Sequence, residues 1–187
     1  MRRAALLYIA VAVVAAAAGL ALYGSISKKP APAPPPTISV YSPAFPNGSY
    51  IPSQYTCDGA DISPPLNWSG VPPNAKSLMV AVIDIDAPGG SFVHWVLYNI
   101  PPNTSSLPSG VPRGTATPYG LQAVNDFGFS GYGGPCPPPG KPHRYIFYVL
   151  ALNATIDLPG GSPASEVLSA ARGHVVAYGE LVGLYGR

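Results

Sequence analysis

Two carboxylates, two imidazoles and a proline-rich run carry most of the polar chemistry in this chain. Asp84-Ile85-Asp86-Ala87-Pro88 holds the carboxylates and His94-Trp95 the first imidazole. The second lies in Gly134-Pro135-Cys136-Pro137-Pro138-Pro139-Gly140-Lys141-Pro142-His143-Arg144-Tyr145. Only 10% of the 187 residues are charged, so such a grouping stands out. Residues two apart on a β-strand point to the same face. Asp84 and Asp86 are therefore expected side by side with Ile85 turned away, and His143 and Tyr145 to share a face opposite Arg144. Carboxylates that close repel. Either one of them holds a proton near neutral pH, or each accepts hydrogen bonds from an imidazole or from backbone N–H groups. Imidazole and backbone hydrogens gathered there can be donated to a phosphate or carboxylate. The aspartates would orient the imidazoles or meet an ammonium group.

Strands must position these groups. Ser77 to Asp86 is apolar from Leu78 to Ile83 and ends at Ala87-Pro88-Gly89-Gly90, and Val93 to Ile100 ends at Pro101-Pro102-Asn103. The short link between them predicts an antiparallel pair, which brings the carboxylates and His94 to one end of a sheet. Arg144 to Leu152 is a third long strand, and the proline-rich loop before it can wall the same end. Ile38 to Tyr41 reads as a first short strand and His174 to Tyr185 as the last, with His174 structural. Pro163 to Arg172 reads as a helix, with Ser162 as its cap, Pro163 at its first position and Gly173 as its stop. Pro112 to Gly140 contains no clear element. Tyr119, Tyr132 and the glycines around them read as mobile loop surface, suited to meeting a partner. Strands dominate, so the expected fold is mainly β: an antiparallel β-sandwich with a C-terminal helix.

Composition agrees with a turn-rich β domain. There are 25 prolines and 21 glycines, yet hydrophobic residues make up 47% and fall in runs between them. Ala4 to Ser27 carries no charge and is long enough to span a bilayer. It predicts an N-terminal transmembrane helix within an anchor over residues 1–29, with a cleaved signal peptide as the alternative. Residues 30–36 form a polyproline linker, and residues 37–187 the β domain. Arg2, Arg3, Lys28 and Lys29 flank the apolar run, which leaves six basic against eight acidic residues from Pro30 onward. A domain with no basic patch lacks the main driving force for nucleic-acid binding. Asn47, Asn67, Asn103 and Asn153 begin Asn-x-Ser/Thr sequons. Cys57 and Cys136, the only cysteines, can pair in an oxidising compartment or stand as buried thiols. The domain is accordingly expected outside the cytoplasm, anchored to the membrane or secreted after cleavage.

The motifs together resemble those of the phosphatidylethanolamine-binding proteins. The resemblance rests on Asp84-x-Asp86-Ala87-Pro88, on His94-Trp95 before a strand, and on the Gly134 to Tyr145 run. Thr56-Cys57-Asp58-Gly59, Ile62-Ser63-Pro64-Pro65-Leu66 with Trp68, and Asn125-Asp126-Phe127-Gly128 followed by Gly131-Tyr132-Gly133-Gly134 point to the bacterial and archaeal Raf-kinase-inhibitor-like branch. It runs in order from about Ser39 to Arg187. It implies a β-sandwich with a small anion pocket at one end, formed by Asp84, Asp86, His94, Gly134, Pro135, His143 and Tyr145. Ile85 replaces the proline usual between the two aspartates, on the side turned away from the pocket.

Blander chemistry competes at each position. The aspartates can simply cap a turn before Pro88, His94 alone reads as a core histidine, and Arg144 reads as an ion-pair partner. Zinc would want a His-x-His or His-x3–5-His spacing, which is missing. A serine hydrolase would want a nucleophile beside its base. Ser91 sits in a turn, and there is no Gly-x-Ser-x-Gly elbow. The expectation is a non-enzymatic module without metal or cofactor, binding a small anion or phospholipid headgroup. The alternative is a protein inhibitor or regulator. The resemblance implies a serine protease or a kinase as its target, through an exposed loop such as Pro112 to Tyr119.

Overall fold

A computed structural model describes residues 38–187. The expected anchor over 1–29 and linker over 30–36 lie outside the described residues. Among the described residues no helix is long and apolar enough to cross a membrane. The expected fold class, which included a transmembrane helix, is thereby corrected to a mainly β domain with one α-helix near its C-terminus.

Ten strands and that helix follow in order. They are β1 Ser39–Tyr41, β2 Ser49–Tyr50, β3 Leu66–Ser69, β4 Ser77–Asp84, β5 Phe92–Ile100, β6 Ser106–Leu107, β7 Ala116–Thr117, β8 Gly120–Gln122, β9 His143–Leu152, α1 Ala164–Ala171 and β10 Val175–Tyr185. Three strands form a small sheet in the order β1-β3-β6, and seven a large one in the order β2-β10-β9-β4-β5-β8-β7. The large sheet is antiparallel apart from β2, which runs parallel to β10.

The apolar run of β4 is explained by its surroundings. Leu78, Val80 and Val82 face the core between the sheets, together with Trp95, Leu97, Phe147 and Val149 of the large sheet and Leu66 and Trp68 of the small one. Met79 and Ala81 face the other way and pack with Val96, Tyr98, Ala164 and Val167, where α1 covers the back of the large sheet. With both faces covered, β4 has no reason to alternate. Each such buried aliphatic side chain contributes about 1.5–3 kcal/mol.

Two local expectations are corrected. Ser162 does not cap α1, because its hydroxyl donates to Pro159 O (2.8 Å) and the Ala164 N–H donates to Val124 O (2.9 Å) instead. Tyr132 is not loop surface: it is buried, its hydroxyl donates to Tyr55 O (2.7 Å), and its ring meets Trp95 edge-on. Fully buried Gln122 pins the same region, accepting from Trp95 Nε1 (2.7 Å) and donating to Pro112 O (2.9 Å) and Gly114 O (2.7 Å).

Candidate functional site

At one end of the inter-sheet core the apolar side chains give way to polar ones. Asp84 continues the inward row Leu78, Val80, Val82 and opposes Tyr145 on β9 and Phe92 on β5. The β4–β5 register shifts between Val82↔Trp95 and Ile83↔Val93, which leaves His94 without an opposite number. Such a bulge re-aims a side chain. Here it lets His94 join Trp95 on the inner side instead of alternating outward. His143 opens β9, two residues before Tyr145 and on the same face. The four converge on a cleft of about 130 Å³, together with Ala87, Pro88, Phe92, Phe127, Cys136, Pro137 and Pro138.

Each imidazole spends one nitrogen on the protein. His94 Nδ1 lies 2.7 Å from Gly133 O, and a carbonyl only accepts, so that nitrogen carries the hydrogen. His143 Nδ1 lies 2.7 Å from Asp84 Oδ2, the same arrangement with a carboxylate as acceptor. In both rings Nε2 is left over for whatever enters the cleft. Asp84 Oδ1 accepts the Asp86 N–H (2.9 Å), so both of its oxygens are used. The fourth group is different. Tyr145 is fully buried, and its hydroxyl has no hydrogen-bond partner among the described residues. Its ring sits edge-on to His94, with centroids 5.2 Å apart, and stacks near His143 at 6.5 Å.

Burial pushes the His94 pKa down, partly offset by the Gly133 carbonyl and the Asp84 charge. Without a ligand His94 is therefore neutral through the physiological range. Burial pushes the Tyr145 phenol well above its usual value, and the Asp84 carboxylate, close by but outside hydrogen-bonding geometry, adds to the rise, so the phenol is a hydrogen donor at every relevant pH.

Asp86 stands apart from this group. The strand ends at Asp84 and a bend follows, so the period of two no longer applies. Its carboxylate turns outward and grips Arg144, accepting from Nε (2.8 Å), Nη2 (2.7 Å) and the backbone N–H (2.9 Å). The Arg144 side-chain hydrogen bond holds the Asp86 pKa down at about 2. The expected repulsion between adjacent carboxylates, which would raise a pKa, is not what Asp86 experiences. Gly134 and Pro135 lie behind the cleft wall: the Gly134 N–H donates to Asp61 Oδ1 (2.6 Å), and Pro135 O accepts from Cys57 N–H (3.1 Å). A Cβ on Gly134 would stand 2.5 Å from Tyr55 O, so only glycine fits. Cys57 and Cys136 form a disulfide that ties this wall to the turn at Thr56–Asp58.

Sequence reasoning passed over Phe92 and Phe127 as cleft residues. Phe127 sits at the mouth, 43% exposed, and its ring meets both Phe92 (4.7 Å) and His94 (5.1 Å) edge-on. The signal for it was the Asn125-Asp126-Phe127-Gly128 turn. Buried Asn125 accepts from the Phe127 and Phe129 N–H groups and donates to His94 O and Gly131 O, while Asp126 Oδ2 accepts from Val93 N–H (2.7 Å). The turn is thereby stitched to the start of β5.

A family model described as phosphatidylethanolamine-binding protein matches residues 41–186. A UPF0098 protein of Methanothermobacter thermautotrophicus is 49% identical over 145 residues, covering 77% of this chain and 95% of the relative. A crystal structure of a phosphatidylethanolamine-binding protein homologue from Chlamydia trachomatis superposes with a TM-score of 0.73 at 39% identity, covering 81% of this chain and 98% of that one. Escherichia coli YbcL, described as a member of the mammalian PEBP family, gives a TM-score of 0.76 at 34% identity, covering 81% and 99%.

Proposed function

This chain belongs to the phosphatidylethanolamine-binding protein family, and from that premise we propose that its cleft is a non-enzymatic receptor for a small anionic group of the phosphate or phospholipid-headgroup type. One observation carries the reading: a fully buried tyrosine hydroxyl without a partner borders the same small cleft as two imidazoles whose Nδ1 atoms are already engaged. A buried hydroxyl left unpaired costs about 1–3 kcal/mol, and an oxyanion accepting from it recovers that cost. The anion also accepts from Nε2 of His143 and of His94 when those rings carry a second proton, since each Nδ1 already bears the first. The Asp84 carboxylate holds one imidazole in orientation and admits only an anion that brings or induces a compensating proton. Phe127, Pro137 and Pro138 at the wall keep water from competing.

Among the residues that line the cleft there is no serine, threonine or free thiol to act as a nucleophile, since Cys136 is held in the disulfide. That disulfide also supports an oxidising, extracytoplasmic location for the domain. Calorimetry with phosphate, phosphoethanolamine and acetate tests the reading. The expected result is saturable binding of the phosphate compounds, weaker binding of acetate, and a loss of about tenfold or more on His143→Ala. Unchanged affinity in that variant would place the anion elsewhere.

A further inference from the structure

Six basic residues lie in the described domain, and their partners separate them. Arg113, Arg144 and Arg187 pair with Asp61, Asp86 and Asp58. Lys76, Lys141 and Arg172 make no ion pair among the described residues. Lys76 precedes β4 and hydrogen-bonds through its backbone to Leu152 O, at the end of the sheet opposite Asp84. Arg172 follows α1, next to the His174–Asn153 contact at that same far end. Lys141 alone brings an uncompensated positive charge to the end that holds the cleft.

It does so in a second cavity. A groove of about 530 Å³ adjoins the cleft and shares Pro138 and His143 with it as a common partition. Pro139, Pro142 and Leu184 give the groove apolar walls. Its two other charged groups, Asp86 and Arg144, are spent on each other through a two-pronged contact. A ligand whose first anionic group occupies the cleft would therefore leave it over the His143–Pro138 partition, cross apolar surface, and meet one free ammonium group.

We propose that this groove is a second subsite with Lys141 as its cation, and that the ligand carries two anionic groups joined by a short apolar spacer. The inference rests on the anion-binding reading of the cleft. An exposed lysine paired with an anion supports a gain of up to about fivefold, which shrinks as salt rises.

The test is titration calorimetry on the full-length chain with inorganic phosphate, with straight-chain alkane bisphosphonates of increasing spacer length, and with the alkyl monophosphonates of matching length. The expected result is a best spacer whose bisphosphonate binds about fivefold tighter than its monophosphonate. Lys141→Gln should abolish that gain, Lys141→Arg should keep it, and phosphate affinity should stay within about twofold in both. Equal affinity of the two series, or a gain that survives Lys141→Gln, overturns the second subsite and leaves the cleft reading standing. Absence of binding by phosphate and by every phosphonate overturns both.

Discussion

Replacing Asn125 by alanine should damage stability and anion binding together. The side chain is 4% exposed and makes four hydrogen bonds. It donates to His94 O (3.2 Å) and Gly131 O (2.9 Å) and accepts from Phe127 N–H (3.0 Å) and Phe129 N–H (3.3 Å). Their loss is unequal. His94 O keeps the Gly133 N–H (3.0 Å) as a donor and is not orphaned. Gly131 is buried, so its carbonyl loses its partner without reaching water, at about 1–3 kcal/mol. The two amides belong to more exposed residues that water can reach, at about 0.5 kcal/mol each. The total is about 2–4 kcal/mol, readable as a shift in the urea midpoint at unchanged slope. The functional consequence follows from chain connectivity, because Gly131 leads to Gly133, whose carbonyl holds His94 Nδ1. A Cβ on Gly133 would lie 2.6 Å from the Phe127 ring, so the turn, that ring and the imidazole are packed as one unit. Sulfate affinity by calorimetry should fall about tenfold, the equivalent of one charge-assisted hydrogen bond. Asn125→Asp keeps both acceptor bonds but turns a donor toward two carbonyls into a repelling oxygen, and should do no better. A loss below about 1 kcal/mol would refute the energetic account. Full destabilisation with unchanged sulfate binding would refute the claim that the turn positions His94.

Three further outcomes follow from the same geometry. Tyr145→Phe removes a buried hydroxyl with no partner, so stability should hold or rise by about 1 kcal/mol while sulfate affinity drops about fivefold; destabilisation by more than that on thermal or urea melts would mean the hydroxyl is satisfied in the empty protein. The lowered His94 pKa means that an anion taking a proton from His94 binds better as pH falls from 8 toward that depressed value. Sulfate, whose own charge stays fixed over this range, should gain up to about tenfold per unit from this ring, and His94→Gln should remove that share of the slope; a flat profile in the unaltered protein would exclude proton uptake at this ring. Cys57 and Cys136 are 79 residues apart, and closing a loop of that size removes about 4 kcal/mol of unfolded-chain entropy. The double Cys→Ala variant should therefore unfold at markedly lower urea, and a midpoint within error of the parent would show that the tie contributes nothing.

Much of the fold was legible because β4 and β5 announce themselves as apolar runs closed by Pro or Gly, and β9 as a long apolar run entered through Pro142. The cleft end was legible because antiparallel pairing of two such strands forces Asp84 and His94 together. What escaped depended on single departures from regularity. The bulge that turns His94 inward is a mismatch between two strands and leaves no trace in either sequence alone. Strand β3 was missed because Leu66–Ser69 is too short for its alternation to register, and it pairs with residues far along the chain. Tyr132 read as surface because glycines flank it; those glycines in fact let the backbone approach Arg113 and Phe127 closely. Ser162 read as a cap by residue type, but a cap needs a free amide, and Val124 had already taken it.

The carboxylate pair is where regularity ended most informatively. If β4 had run two residues further, Asp84 and Asp86 would both face the cleft, and an anion would meet two negative charges there. Termination at Asp84 divides them across consecutive residues of β9: Asp84 takes His143 inside and Asp86 takes Arg144 outside. The outer pair lies in solvent, so despite the depressed Asp86 pKa it adds little stability, and what it adds is present above the usual carboxylate pKa and lost as pH falls toward 2. Its larger effect is on charge bookkeeping at the cleft. It removes Arg144 as a competing cation and Asp86 as a repelling anion in one contact. Inside, one carboxylate faces two imidazoles and an unpaired phenol, a balance that tips to net positive charge as soon as both rings are protonated. On the proposed anion-receptor reading, a single bend after Asp84 thus separates a repulsive site from one suited to an anion with its proton, and Asp86→Ala should free Arg144 to raise sulfate affinity slightly rather than abolish it.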